Sequence, residues 1–355
     1  MDLFHYNFII PNTDNFYEDD ESLETVESLE SRLIKLKKNI DNYYDANRKY
    51  NVWNVMSRDL HHFESVVVKS PLRCVSRAFY KLLEILISYD IKIKGGNTLH
   101  LCEAPGGFIQ ASLLLFGSEI ESFLTVSAES TIKYHKDIKK IQKGHVLIND
   151  ITLEETSDMI FDHCPEKGYA LITADGAFDV SDSYEDQENK SYDLLFNEIS
   201  VALSSQQVGG CFVIKMFDCI LKKTWNLITW LRKCYKQVYI CKPPSSRPVN
   251  SEKYCVCINF VEKFTYSPCY NRIKELPNFR EFFLKKSLHF QILKLEEVFH
   301  HINLSEDPQS EKLNARARQN RIKSADDGEK KYLKVYGKYL TPQNPPSFCL
   351  ATVYQ

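Results

Sequence analysis

The chain has 355 residues, with 45 Lys and Arg against 47 Asp and Glu. Its net charge of −2 leaves no overall positive field, so any affinity for nucleic acid must come from a local patch. Hydrophobic residues at 43% and charged residues at 26% exclude a disordered or fibrous chain and fit a folded soluble protein. The opening MDLFHYNFIIPNTDNF lacks the basic start and apolar run of a secretory leader, and no stretch approaches the ~20 apolar residues of a membrane span. An intracellular soluble protein is expected, cytoplasmic (a viral replication site included) or nuclear.

In chain order, the first predicted element is an amphipathic helix within Thr13 to Arg48. Leu23, Val26, Leu29, Leu33, Leu36 and Ile40 recur at three- and four-residue steps, after an acidic start at Glu18, Asp19, Asp20 and Glu21. From Val75 to Phe260, short apolar runs alternate with helical stretches. Strands are expected at 98–101, 123–127, 145–148, 170–173, 211–215, 237–241 and 254–260, and helices at 76–89, 108–116, 191–204 and 221–235. Such alternation predicts an α/β fold with a mostly parallel sheet covered by helices on both faces. The last two strands are joined without a helix, which calls for an antiparallel strand near the end of the sheet. A helix over 278–301 follows, then a polar segment with Arg316, Arg318, Arg321 and Lys323, and a Pro-rich end. The expected division is 1–70, a helical N-terminal extension; 71–262, the α/β domain; and 263–355, a mostly helical C-terminal extension.

The 11 cysteines form no CxxC pair and read as reduced core residues, with Cys255 and Cys257 on one face of a strand. The pairs His61-His62 and His300-His301 are adjacent and not at helical ligand spacing, so they read as surface histidines and no metal is expected.

The sharpest local signal is LHLCEAPGGF at 99–108, a strand entering a two-glycine turn and then a helix. Gly106 and Gly107 let the backbone approach a ligand at the carboxyl end of the strand. The turn lacks the GxGxxG spacing and the Lys-Ser/Thr of a phosphate loop, which argues against a dehydrogenase or an NTPase. It is preceded by SRAFYKL at 76–82 and followed by TADGAFD at 173–179, the pair Gln187-Glu188, GGCFVIKMF at 209–217 and KPPSSRPVNSE at 242–252. A lone strand-ending lysine is ordinarily a surface residue and a lone Asp-Gly a turn. Together and in this order, the segments resemble the FtsJ (RrmJ-like) family of ribose 2′-O-methyltransferases over residues 75 to 260. The wording is closest to the mRNA cap branch of large DNA viruses and eukaryotic cap-2 enzymes.

The resemblance implies a Rossmann-like fold dependent on S-adenosylmethionine, with the family's Lys-Asp-Lys-Glu tetrad on Lys81, Asp175, Lys215 and Glu252. A ribose hydroxyl must lose its proton as it attacks the methyl group, and Lys215 is the candidate to accept or steer it. For the cofactor it implies Pro105, Gly106, Gly107 and Phe108, with Asp175, Asp150 for adenine and Glu129 for the ribose; Asp150 fits a helix cap equally well. Glu103 agrees with the cap branch and joins the cofactor set, while His100 stands where many members carry an acid. Lys242, Ser246 and Arg247 are expected to face the RNA. The implied partners are RNA, a capped mRNA 5′ end, and a protein of a capping complex, with no membrane. A ribosomal- or transfer-RNA methyltransferase, or a non-catalytic RNA-binding subunit of a capping complex, are the competing readings.

Overall fold

A computed structural model describes residues 4–11, 24–43, 52–59, 61, 63, 70, 72–93, 95–130, 132–177, 187–261, 276–306 and 327–340. Glu18 to Glu21, His62, Asp179, Arg316, Arg318, Arg321, Lys323 and the Pro-rich end lie outside the described residues.

Eight strands form one sheet: β1 (Tyr6–Ile9), β2 (Gly96–Leu101), β3 (Ile120–Ser127), β4 (Gly144–Ile148), β5 (Tyr169–Ala174), β6 (Gln206–Met216), β7 (Tyr235–Lys242) and β8 (Lys253–Phe260), in the order β1-β7-β8-β6-β5-β2-β3-β4. Strands β2 to β6 are mutually parallel, and β8 runs antiparallel to both β6 and β7, as the missing helix between the last two predicted strands required.

The helices are α1 (Val26–Ile40), α2 (Val52–Asp59), α3 (Ala78–Ser88), α4 (Gly107–Phe116), α5 (Lys136–Lys139), α6 (Glu154–Asp162), α7 (Gln187–Lys190), α8 (Tyr192–Ser205), α9 (Lys222–Cys234), α10 (Pro277–Glu306) and α11 over 327–340. Each face of the sheet has its own core. In β6, Phe212 and Ile214 join the layer under α1, α8, α9 and α10, while Cys211 and Val213 join the layer under α3, α4 and α11. Burial on both faces is why these strands read as continuous apolar runs.

Helix α1 begins where Thr25 Oγ1 accepts a hydrogen bond from Ser28 N at 3.2 Å, and it buries Leu29 and Leu33. Full burial of each leucine contributes about 1.5–3 kcal/mol. The stripe packs against α10, and Arg32 Nη2 meets Glu296 Oε1 at 2.7 Å across that seam.

One expectation is corrected. The N-terminal extension is not purely helical, because β1 adds an antiparallel strand to β7. Tyr6 and Phe8 alternate inward and set their rings on Phe283 of α10 at 6.4 and 5.4 Å. Four residues of alternation are the shortest strand signal, and the pairing partner lies more than 200 positions away. Cys255 and Cys257 share a face of β8 as expected, their sulfurs 3.8 Å apart.

Candidate active site

Because β2 to β6 are parallel, the loops leaving their carboxyl ends share one edge of the sheet, the usual ligand edge of such sheets. The loop after β2 is shaped by Gly106, whose φ of 116° favours glycine, and by Gly107, where a Cβ would stand 2.8 Å from Phe79 N of α3. Glu103 is 2% exposed and turns its carboxylate into the start of α4, accepting hydrogen bonds from Phe108 N and, at 3.5 Å, Ile109 N. Burial raises its pKa well above the usual carboxylate value, against the pull of those amides. Glu103 thus anchors the glycine turn from within. The same contact engages the Phe108 amide, and the Phe108 side chain is buried in the core.

The four charged residues singled out in the sequence come together at this edge in two ion pairs. Lys81, on α3, places Nζ 2.7 Å from Glu252 Oε2, just before β8. Lys215, near the end of β6, places Nζ 3.2 Å from Asp175 Oδ1 and 2.6 Å from the Asp175 carbonyl oxygen, just after β5. The Tyr254 hydroxyl also donates to Asp175 Oδ1, at 3.1 Å. Burial works against the charge of Lys215, but Asp175 and Glu252 outweigh it and hold its pKa above the ordinary lysine value. For Glu252, burial is opposed by Lys81, Lys215 and Lys242, which bring the carboxyl down to about 2. The two pairs therefore form one charged cluster.

Two residues expected to face RNA do not. Lys242 is 1% exposed; its Nζ donates to Glu252 O at 2.6 Å, Asn250 Oδ1 at 2.7 Å and Asn250 O at 2.8 Å. Burial depresses its pKa well below the lysine value, despite the nearby Glu252. Ser246 is buried and donates through Oγ to Glu252 Oε1 at 2.8 Å. Both hold the loop that presents Glu252. Three successive carbonyls of that loop are held from elsewhere: Pro244 O by His61 Nε2 at 3.0 Å, Ser245 O by Arg77 Nη2 at 3.1 Å and Ser246 O by His5 Nε2 at 3.0 Å. His61 is accordingly buried and not a surface histidine, and burial lowers its pKa to about 3. Among the described residues no cluster of His, Cys, Asp and Glu could hold a metal ion.

His100 is buried in the sheet, bonded to Thr98 Oγ1 at 3.0 Å and Thr173 Oγ1 at 2.7 Å, and burial lowers its pKa to about 3. It is a neutral core residue, outside the site. Glu129 is exposed just beyond β3. Asp150, two residues beyond β4, accepts from Thr152 N at 2.9 Å and Thr152 Oγ1 at 2.8 Å, closing the turn before α6. The edge thus offers carboxylates beyond the ends of β3, β4 and β5, Glu129, Asp150 and Asp175, and these acceptors suit two ribose hydroxyls, an adenine amine and a sulfonium charge. On that chemistry the residues fit S-adenosylmethionine.

Beside Glu252 a cavity of about 260 Å³ opens between α1, α2, α10 and the loop after β7. Its walls include Lys37, Trp53, Phe217, Arg247 and Asn250. Of the expected RNA-facing residues, Arg247 is the one that reaches it. Neither Trp53 nor Phe217 was expected as a contact: Trp53 lies in no sequence motif, and Phe217, the last residue of GGCFVIKMF at 209–217, stood there only as the neighbour of the lysine segment.

A doubly wound sheet in which antiparallel β8 is inserted between β6 and β7, with charged residues at its carboxyl edge, has the architecture of a Rossmann-like methyltransferase. The chain belongs to the FtsJ-like methyltransferase family, which residues 74–260 match. Methyltransferases of this family use S-adenosylmethionine. The chain is 28% identical over 204 residues to a cap-specific mRNA (nucleoside-2′-O-)-methyltransferase of Autographa californica nuclear polyhedrosis virus, covering 56% of this chain and 77% of the relative. It is 30% identical over 223 residues to cap-specific mRNA (nucleoside-2′-O-)-methyltransferase 2 of Pongo abelii, 56% of this chain and 29% of the relative. It is also 29% identical over 190 residues to ribosomal RNA large subunit methyltransferase E of Methanococcus aeolicus, 53% and 66% of the two chains. The chain therefore spans most of the viral relative and under a third of the Pongo abelii one. Among the described residues, no helix is long and apolar enough to cross a membrane.

Proposed function

We propose that the protein methylates a ribose 2′-hydroxyl of RNA at the capped 5′ end of mRNA, on the first or second transcribed nucleotide. The observation that carries this reading is the convergence of Lys81, Asp175, Lys215 and Glu252 into one charged cluster at the carboxyl edge. The cavity beside Glu252 supports the capped substrate. Phe217 and Trp53 offer aromatic surface for a base, Asn250 an amide for its edge, and Arg247 positive charge for phosphate, while Lys37 is held in an ion pair with Asp218.

S-adenosylmethionine supplies an electrophilic methyl group when bound, with Asp150 and Glu129 as its adenine and ribose contacts and Asp175 near its positive charge. Lys215, kept as an ammonium by Asp175 and Glu252, donates a hydrogen bond to the ribose oxygen and turns a lone pair toward the methyl carbon. Of the two roles considered for this lysine, steering is the one its raised pKa supports. The methyl group would leave its donor as it joins the ribose oxygen, and the hydroxyl proton, made strongly acidic, would go to the Asp175 carboxylate beside Lys215. Most of the acceleration then comes from positioning. Lys81 keeps Glu252 ionised and in place.

The test is incubation with labelled methyl donor and matched capped and uncapped short RNAs, followed by mass mapping of the modified nucleotide. Label on the ribose of the first or second nucleotide of the capped RNA alone is expected. Equal labelling of both RNAs removes the cap from the reading, and label confined to ribosomal or transfer RNA replaces it.

A further inference from the structure

Behind Lys215 lies a carboxyl that the mechanism above does not use. Glu198 rises from α8 and is 2% exposed. It packs so closely on Gly176, the neighbour of Asp175, that a Cβ at Gly176 would overlap Glu198 Oε1. Between α8, β6 and the start of α9 is a cavity of about 20 Å³, lined in part by Gly176, Ser191, Glu198, Lys215, Phe217 and Thr224.

Three buried polar atoms of that lining, Glu198 Oε1, Ser191 Oγ and Thr224 Oγ1, have no hydrogen-bond partner in the protein. An unsatisfied buried polar atom costs about 1–3 kcal/mol, so three beside one void call for a ligand. A void needs roughly 10–15 Å³ and two to four polar partners to hold one water molecule. This one has the room, and Glu198, Ser191 and the Thr224 hydroxyl supply the partners. A larger ligand does not fit.

We propose that Glu198 is a positioning residue for methyl transfer, holding Lys215 from behind through one ordered water shared with Ser191 and Thr224. The proposal rests on the methyltransferase reading above. Lys215 is held in front by Asp175, and without a contact behind it the flexible lysine chain would follow that carboxylate wherever the substrate pushed it. Glu198 is suited to the task because it is uncharged at neutral pH. Burial lifts its pKa to about 8, and Asp175 adds to this, while a hydrogen bond with Cys102 and the charge of Lys215 work the other way. The charged and titratable groups facing it are Cys102 from the loop after β2, Asp175 after β5, Lys215 of β6 and, across the same cavity, Glu188 of α7. Above pH 8 Glu198 ionises and competes with Asp175 for the ammonium.

Three measurements test this on the full chain. In a crystal structure at high enough resolution to show waters, a single water is expected between Glu198, Ser191 and Thr224. Glu198→Ala is expected to lower kcat roughly 10- to 100-fold with KM for RNA and donor unchanged, the scale set by a small misplacement of a reacting group. Glu198→Gln, which mimics the protonated acid, is expected to keep the neutral-pH rate and to lack the fall in kcat expected of the native protein as pH rises through about 8. S-adenosylhomocysteine affinity, equal in all three proteins, reports that the variants fold. An empty cavity, a Glu198→Ala protein with native kcat, or identical pH profiles for Glu198→Gln and the native protein would overturn the proposal. If the native protein methylates no RNA, the functional reading fails, while the water and the Glu198 titration, followed by NMR, still decide whether the buried device exists.

Discussion

Lys81 Nζ sits 2.7 Å from Glu252 Oε2, although the two residues are 171 positions apart and belong to different structural units, the first turn of α3 and the loop just before β8. Their side chains are 15% and 10% exposed, so the pair is screened little by solvent. Removing one partner of such a pair leaves a buried charge that costs about 3–5 kcal/mol. Lys81→Met is expected to lose stability on this scale in urea denaturation. The double variant with Glu252→Gln should recover part of it. A single variant as stable as the native protein would show that solvent already reaches Glu252.

Lys215→Ala should fold, bind S-adenosylhomocysteine and lose at least about a hundredfold in kcat, because positioning of the ribose oxygen disappears. Lys215→Arg keeps the charge and changes the reach, so it is expected to stay inactive. Retained turnover in either variant, measured by methyl incorporation, would take the lysine out of the mechanism.

The Phe217 ring borders both the cavity beside Glu252 and the small void behind Lys215. Stacking of a base on an aromatic ring is worth about 1–3 kcal/mol. Phe217→Ala is thus expected to raise KM for capped RNA about tenfold or more, with donor affinity unchanged in calorimetry. A KM that does not move would leave the cavity without a base.

Glu84 offers a stability test. It is fully buried on α3, and its carboxylate accepts from Ser245 N at 3.1 Å, Ser245 Oγ at 2.9 Å and the Tyr332 hydroxyl of α11 at 2.7 Å. Burial, outweighing those hydrogen bonds, raises its pKa from 4.5 to about 7. Between these values the folded state holds a proton that the unfolded state has released, so stability falls as pH rises from about 4.5 to about 7. The loss amounts to about 3 kcal/mol at ~1.4 kcal/mol per pH unit. Glu84→Gln should remove that slope in denaturation curves taken at pH 5 and pH 7; an unchanged difference between the two pH values would place Glu84 near its ordinary pKa.

Much of this architecture was legible before any coordinates. Seven strands of the sheet announced themselves because both faces are buried, and the four charged residues were readable because each sits in a distinctive local phrase at a strand or helix end. What stayed hidden depends on contacts between distant segments. Strand β1 has too few residues to show a period, and its partner is at the other end of the α/β region. Glu103 and Lys242 carry the residue types of ligand contacts, and only their burial shows that one serves the α4 amides and the other the loop carbonyls. Glu198 and Glu84 look like ordinary helix glutamates in a list of letters, since their helices carry apolar residues round most of their circumference and leave no clear polar stripe to tell inside from outside.

The three carbonyls at 244–246 have a practical meaning for anyone trimming this protein. Two of their donors, His5 and His61, lie upstream of the stretch that matches the family, as do the α1 and α2 walls of the cavity. A fragment cut to residues 74–260 would retain Lys81, Asp175, Lys215 and Glu252 yet leave the peptide that carries Glu252 without two of its outside fastenings. What looks like an appendage in the linear chain is, in space, the far wall of the hollow that opens beside Glu252.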